Sequence, residues 1–451
     1  MLYTPVSLAL VSFTALSLLT TTLSAPALSG APPKVECTDS NPNKVLWIAP
    51  DSDIDSDGSD IPLYHNGVQT LPQPQRDDKG ATILGPHNVA IELQNADLLA
   101  PPTTDHGSVK NFKWPYAMSH NRLANGGWAR QQNVYDMPSA TDIAGVNMRL
   151  EAGAIREMHW HVTSEWAYVL KGDIRISTIT PEGQVWVGDV SAGDLWYFPA
   201  GYPHSIQAKS STPDGAEFLL IFDEGTFSED ATFLLTDWLA HVPKSVLAKN
   251  FGFDDLQEGL KAFEHIPKEE LYIFPSLPPA DDKRDDMVVP NNTPQPFTFP
   301  FSKVAAARKP GGKVKIVDSR TFTVSEKIAA AEVEIEVGGL RELHWHPTQP
   351  EWTYFISGTA RITLFASQGN AATYDFYPGD VAYIPPSFGH YIENIGNTTL
   401  KFLEVLKSNR FQDISLSQWL ALTPHNVVKA HLDLPDEVLS KLSTTKNTIV
   451  L

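Results

Sequence analysis

Six histidines and two glutamates fall in two matching sets along this chain of 451 residues. Gly-Ala-Ile-Arg-Glu-Met-His-Trp-His at 153–161 returns as Gly-Gly-Leu-Arg-Glu-Leu-His-Trp-His at 338–346. In the first set His159 and His161 are followed by Glu165 and, at the end of Gly-Asp-Leu-Trp-Tyr-Phe-Pro-Ala-Gly-Tyr-Pro-His, by His204. The second set is His344, His346, Glu351 and His390, the last closing Gly-Asp-Val-Ala-Tyr-Ile-Pro-Pro-Ser-Phe-Gly-His. Residues i and i+2 of a strand face the same way, so each His-Trp-His aims both imidazoles inward and its Trp outward. Three imidazole nitrogens and one carboxylate oxygen suit a divalent first-row metal of intermediate hardness; manganese, iron and zinc all satisfy the set. An octahedral ion held by four protein ligands keeps two positions open, as a bidentate substrate or dioxygen requires. The competing reading is a chance repeat of core histidines. With 14 His in all, six at matched positions in both halves favour metal. The second metal could serve only to hold its own half together.

Such ligands must be carried on short rigid strands, and the flanking sequence supplies them. Apolar runs at Trp166–Leu170, Ile174–Thr178, Thr353–Ile356 and Ala360–Leu364 are broken by the turns Lys171-Gly172-Asp173 and Ser357-Gly358-Thr359. Strands of this length and spacing predict an all-β sandwich or barrel, and the chain is long enough for two cores. Thr-Asp-Trp-Leu-Ala-His-Val-Pro at 236–243 echoes Ser-Gln-Trp-Leu-Ala-Leu-Thr-Pro at 417–424, so both halves close alike. Helices are expected only near 232–241, 244–264 and 414–442.

The motif pair Gly-x5-His-x-His-x3,4-Glu and Gly-Asp-x4-Pro-x4-His resembles the cupin superfamily, in a two-barrel arrangement. Arg156-Glu157-Met158-His159-Trp160-His161, its partner at 341–346, Asn121-Arg122-Leu123 and Gly126-Gly127-Trp128-Ala129-Arg130 resemble oxalate decarboxylases in particular. The likeness spans about 85–440. It implies two tandem cupin barrels of double-stranded β-helix, jelly-roll-like form with short flanking helices: cupin domain 1 at 85–275, a linker rich in Pro, Asp and Asn at 276–300, and cupin domain 2 at 301–451.

The resemblance further implies manganese- and dioxygen-dependent decarboxylation of oxalate to formate and carbon dioxide through a radical intermediate. Two Mn(II) per chain and dioxygen as co-catalyst are the expected cofactors. The general acid/base it points to is Glu229, in Ser228-Glu229-Asp230-Ala231-Thr232, which is similar to the family's lid Ser-Glu-Asn-Ser-Thr but differs at its third and fourth places. A helix N-terminal charge is the plainer reading of Glu229. Arg156 and Arg341 correspond to the family's substrate-side arginine. Their place three residues before the first ligand His would point them away from the metal on a regular strand, so a bend at the glycine-containing start is needed to turn the guanidinium inward, where its fork matches a carboxylate. Surface pairing with Glu157 or Glu342 is the alternative. The second half has Asn409-Arg410-Phe411-Gln412-Asp413 where the lid should be. Its proton donor would be Glu404, fourteen residues after His390, where the same offset from His204 gives Phe218. The first site is therefore expected to carry catalysis. An oxalate oxidase and a non-catalytic storage or binding bicupin are the rival readings, the latter disfavoured by two complete ligand sets. Trp160 and Trp345 are expected to pack between domains or subunits, and a homotrimer or hexamer is implied by resemblance alone.

Composition bounds the rest. Residues 1–24 read as a secretory signal peptide, followed by an extension at 25–84, so the protein is expected to be secreted, and no later segment is apolar enough to span a bilayer. One cysteine, Cys37, excludes an intramolecular disulfide. Asn291-Asn292-Thr293 and Asn397-Thr398-Thr399 fit N-glycosylation acceptors. A formal charge of -19 argues against nucleic acid or anionic membrane as partner, and a dianion such as oxalate would need local cations to approach. Asp53-x-Asp55-x-Asp57-Gly58 begins like an EF-hand loop but has Tyr64 where a bidentate Glu is required, so a solvated loop is expected.

Overall fold

A computed structural model of the chain describes residues 91, 94, 95, 98, 101–209, 214–268 and 270–451. The leader, Cys37 and the acidic run at 51–60 lie outside them. The described residues form two barrels, each a seven-stranded antiparallel sheet faced by a six-stranded one, with short helices behind. In the first barrel the larger sheet runs Thr298–Phe299, Leu195–Phe198, Glu165–Lys171, Ala216–Phe222, Ala144–Leu150, Gly127–Gln132 and Asn121–Ala124. The smaller runs Phe233–Leu234, Ile155–Trp160, His204–Ala208, Asp173–Ile179 and Val185–Ser191, with Ile273–Phe274 also on Ile155–Trp160. The second barrel repeats this plan, its larger sheet running Lys113–Pro115, Asp380–Ile384, Glu351–Ser357, Leu400–Lys407, Ile328–Ile335, Gly312–Val317 and Ala307–Lys309.

The barrels exchange edge strands. Lys113–Pro115, ahead of every strand of the first barrel, pairs with Asp380–Ile384 of the second, Trp114 opposite Val381. In return Thr298–Phe299 pairs with Leu195–Phe198 of the first, Thr298 opposite Trp196. Each exchange covers an edge that would otherwise expose unpaired backbone groups. Asn291 extends the effect: its side chain accepts from the Val187 amide (2.6 Å) and donates to the Val187 carbonyl (3.0 Å). Asn397, in contrast, is exposed.

Strand alternation explains why the central strands are apolar without interruption. In Glu165–Lys171, Ala167 and Val169 face the interior of the first barrel, whereas Trp166 and Tyr168 face the second barrel. Phe218, Leu220 and Phe222 divide from Leu219 and Ile221 in the same way. Trp352, Tyr354, Leu403 and Val405 meet them from the second barrel, so the two larger sheets pack face to face around a shared core. Each large apolar side chain buried there contributes roughly 1.5–3 kcal/mol. Polar links cross the same interface: Trp352 donates to Gln132 (2.8 Å), and Tyr168 donates to Glu332 (2.6 Å), which also pairs with Lys315 and Lys401 (3.1 Å each).

The expected turns hold Gly172 and Gly358 at φ +82° and +85°, the left-handed region that glycine enters without cost. The long helical segments are subdivided. The stretch expected at 244–264 is Lys244–Asn250 and Leu256–Ala262, parted at Gly252 (φ +74°), and Pro424 and Pro435 divide the C-terminal one into Leu416–Leu422, His425–Leu432 and Asp436–Leu439. No helix among the described residues is long and apolar enough to cross a membrane.

Candidate metal centres and active site

Both predicted ligand sets converge. His159, His161, Glu165 and His204 are all buried, with one ligand atom from each lying within 4.8 Å of the others, and the same holds for His344, His346, Glu351 and His390. Local sequence fixes each imidazole. His159, His161 and His204 direct Nδ1 at the carbonyls of Glu157 (2.5 Å), Thr163 (2.8 Å) and Tyr202 (2.8 Å). In the second barrel the acceptors are Glu342 (2.6 Å), Gln412 (2.7 Å) and Phe388 (3.0 Å). A carbonyl can only accept, so Nδ1 carries the proton and Nε2 presents its lone pair to the cluster.

The carboxylates are oriented as firmly. Glu165 takes 2.8 Å from the Trp196 indole on Oε1, leaving Oε2 3.2 Å from His161 Nε2 and 3.5 Å from His204 Nε2. Glu351 takes its outer bond from Thr353 (2.6 Å) and lies 2.9 Å and 3.0 Å from the Nε2 atoms of His346 and His390. Burial and the Arg156 guanidinium hold His159 well below the usual imidazole range. Burial alone would raise the Glu165 carboxyl, but His204 and His161 keep it below the carboxylate range. Burial likewise lowers His204, so His159 and His204 are held neutral beside one anionic carboxylate, as ligands of a divalent cation must be.

Whether the residues fit a metal is decided by buried atoms with no other use. His204 Nε2 and His344 Nε2 have no hydrogen-bond partner, although such groups are ordinarily paired. Imidazole lone pairs brought together by two strands, beside an anionic oxygen from a third, fit a divalent ion. Their donor types match Mn(II) without excluding iron or zinc.

The arginines reach the interior by a route the sequence did not display. Opposite strand His204–Ala208, His204 pairs with His159 but Ile206 pairs with Arg156, so the ladder shifts between them. The extra residue of this β-bulge returns Arg156 to the face that carries His159 and sends Met158 outward, exposed. The second barrel repeats the shift between Arg341 and His344. No bend at the preceding glycines is required. Glu157 and Glu342 do not pair with these arginines; they accept from the backbone amides of Tyr272 (3.0 Å) and Thr448 (2.8 Å).

Beyond the ligands the two sites diverge. Arg156 donates to Glu229 (3.3 Å) and to the Tyr272 carbonyl (3.2 Å), while its Nε is buried without a partner. Glu229 is buried on a single 3-10 turn, Glu229–Ala231, where Ser228 caps Asp230 and Gln131 accepts from the Glu229 amide (2.9 Å). The Tyr272 hydroxyl donates to the Glu229 carboxylate, and its ring lies 4.0 Å below the Arg156 guanidinium. Burial, then the charge of Glu229, pushes the Tyr272 phenol well up, so it stays a donor. Glu229 and Tyr272 also line a cavity of about 360 Å³ with Arg122, Arg130, His120 and Gln131.

Arg341 is saturated by comparison. Its guanidinium binds Glu404 (3.3 and 3.4 Å) and Asp413, and Lys446 binds Asp413 as well. Glu404 Oε1 lies 3.3 Å from His346 Nε2 and 3.8 Å from His344 Nε2. His346 is pushed up to about 10, burial being outweighed by Glu351 and Glu404, whereas burial and Arg341 push His344 down to about 3. Strand pairing places Leu220 at the position of Glu404: each faces the residue two after its ligand Glu, Leu220 opposite Ala167 and Glu404 opposite Thr353. The match by offset to Phe218 is therefore corrected; the loop ahead of the strand is longer in the first barrel, 209–215 against 395–399.

Trp160 stacks on Phe233 (5.5 Å) and meets Trp238 (5.4 Å), and Trp345 meets Trp419 (5.5 Å), so each packs against the helix that closes its own half. Sequence reasoning missed Tyr272, Asp413 and Lys446. Leu-Tyr-Ile-Phe at 271–274 could have signalled a strand, but nothing local announces the hydroxyl's partner.

A family model described as Cupin matches this chain twice, at 118–258 and 302–439. The oxalate decarboxylase OxdC of Bacillus subtilis is 49% identical over 381 residues, 84% of this chain and 97% of that protein. A probable oxalate decarboxylase of Arthroderma benhamiae is 41% identical over 396 residues, 86% and 95% respectively. A solved structure of the Bacillus subtilis oxalate decarboxylase, studied for its Mn(II) centres, superposes with a TM-score of 0.80 at 48% identity, covering 84% of this chain and 99% of that one.

Proposed function

Since this chain belongs to the cupin family, in its two-barrel oxalate decarboxylase branch, we propose that its first metal centre converts oxalate to formate and carbon dioxide with manganese and dioxygen. The supporting observation is Arg156: a buried guanidinium beside the ligand cluster, with an unpartnered Nε and one carboxylate neighbour that can also move a proton.

His159, His161, Glu165 and His204 would hold the ion, which supplies a one-electron relay with dioxygen when bound. The remaining work is the protein's own. Hydrogen oxalate yields formate and carbon dioxide with no net electrons, so a single proton must leave oxygen and return to carbon. Glu229 is the group to carry it, taking the proton on Oε1 while Tyr272 and Arg156 hold Oε2 in place. Arg156 offers its fork to the substrate carboxylate and disperses charge as the carbon–carbon bond breaks. The Glu229 turn and Tyr272 form part of the cavity wall, so closure of the turn keeps water from a reactive intermediate.

The second centre supports a structural role. Its arginine is already neutralised by two carboxylates, and Glu404 occupies the approach to His344 and His346. An incoming dianion there meets an arginine already bound to two carboxylates, one of which also holds Lys446.

The test is product stoichiometry from manganese-loaded protein given oxalate in air at acidic pH. Formate and carbon dioxide in equal amounts support the reading. Stoichiometric peroxide would move it to an oxidase, and absence of turnover with metal bound would leave a non-catalytic bicupin.

A further inference from the structure

The cavity outside Glu229 holds charges that the reaction does not use. Arg122 bridges three groups: Asp230 of the lid turn (3.3 Å), Glu270 (2.8 Å) and the ring of Tyr272, 3.7 Å from its guanidinium carbon. Tyr272 is thus held between two guanidinium groups, Arg122 on the cavity side and Arg156 on the metal side, with its hydroxyl on Glu229. Arg130, in the same cavity, is bound by neutral acceptors, Asn147 Oδ1 (2.9 Å) and the Tyr116 carbonyl (3.5 Å), so its charge is available to an anion. His120 lines the cavity too, with Asp136 and Asp230 as its other acids.

A protein of net charge -19 repels oxalate at long range, and this cavity sets two guanidinium groups, Arg122 and Arg130, among the carboxylates of Asp136, Glu229 and Asp230, so an anion can be held there only by competing with those acids. We propose that this cavity is a receiving subsite for a small dicarboxylate, in which the anion takes Arg122 from Asp230 and thereby releases the lid turn. The inference rests on the first centre being the one oxalate enters. A dianion held by Arg122 and Arg130 competes directly for the guanidinium that ties Asp230 down. Asp230 is well exposed, so its pairing with Arg122 is weak enough to exchange. Freed of it, the turn loses its outer tie and keeps the Ser228 cap, the Gln131 contact and the inner bonds of Glu229 to Arg156 and Tyr272. Arg122 is a positioning residue here; it never reaches the reacting atoms.

Hydrogen exchange of the lid amides 230–232 tests this independently of turnover, on full-length manganese-loaded protein. Adding oxalate should speed their exchange several-fold in the wild type, and should leave Arg122→Gln unchanged. Asp230→Asn should exchange fast before any anion is added. A parallel arm with formate separates substrate from product: a monoanion able to displace Asp230 as well as oxalate does would overturn the dicarboxylate assignment. In steady-state kinetics Arg122→Gln should raise KM about tenfold with a smaller change in kcat, and Arg122→Lys should recover part of that loss. Oxalate-independent lid exchange in the wild type, or an Arg122→Gln protein that responds as the wild type does, would overturn the proposal even if formate production is normal. Normal lid responses without formate would instead count against the assigned reaction alone.

Discussion

Replacing Glu229 by Gln removes a proton carrier and little else, which makes its consequences separable. The two side chains have the same shape, so the Tyr272 hydroxyl keeps an acceptor and the cavity keeps its wall. The folded protein loses the carboxylate facing Arg156, which is 1% exposed. A hydrogen bond to a charged group contributes about 1.5–3 kcal/mol, so the variant should be destabilised by roughly 2 kcal/mol and remain folded. The chemical step loses its acid/base, normally a factor of about 10²–10⁴, or roughly 3–5 kcal/mol of barrier. Glu229 belongs to neither ligand set, so manganese content should stay at the wild-type value. KM should move less than kcat, because Arg156 still receives the substrate. The assay is formate, carbon dioxide and peroxide from one reaction, with elemental analysis of the same sample. Formate formed within about threefold of the wild-type rate, at full metal content, would refute the assignment of the proton to Glu229.

Two further outcomes test the frame that holds the site. Glu332→Gln should weaken the packing of the two larger sheets, because its carboxylate serves Tyr168, Lys315 and Lys401. Burial alone would raise Glu332, but those partners hold it below the usual carboxylate range. A depressed group stabilises above its unfolded pKa of about 4.3, and that stability disappears as pH falls through the folded value. Wild type should therefore exceed the variant by about 1 kcal/mol at neutral pH in denaturant unfolding, after discounting for water at Lys401, and the gap should shrink as pH falls below the unfolded value; a gap independent of pH would contradict the ion pairing. Gly172→Ala should cost about 2 kcal/mol and several degrees of Tm by calorimetry, because its φ is +82° and a Cβ would lie 2.4 Å from the Gly215 carbonyl; an unchanged Tm would contradict the turn.

Much of this architecture was legible because its signals are local. The ligand histidines declare themselves through i, i+2 spacing, and the strand pattern follows from alternation about Gly172 and Gly358. The features that escaped depend on pairing between distant segments. A bulge is a property of two strands in register, so the inward turn of Arg156 cannot be read from its own strand. The same holds for Leu220, which loop length displaces from the expected offset, and for Tyr272, whose hydroxyl meets a residue 43 positions earlier. Asp413 was visible as part of a segment lacking the lid sequence, but its bond to Arg341, 72 positions away, was not. The edge-strand exchange is likewise invisible locally: Lys113–Pro115 carries nothing that names its partner in the other barrel.

The most direct measurement compares His204→Ala with His390→Ala, each scored for manganese per chain and for formate from oxalate. Each variant should lose one of two metals, and only His204→Ala should lose formate production. Formate abolished in His390→Ala while the first centre keeps its manganese, or retained in His204→Ala, would contradict the account.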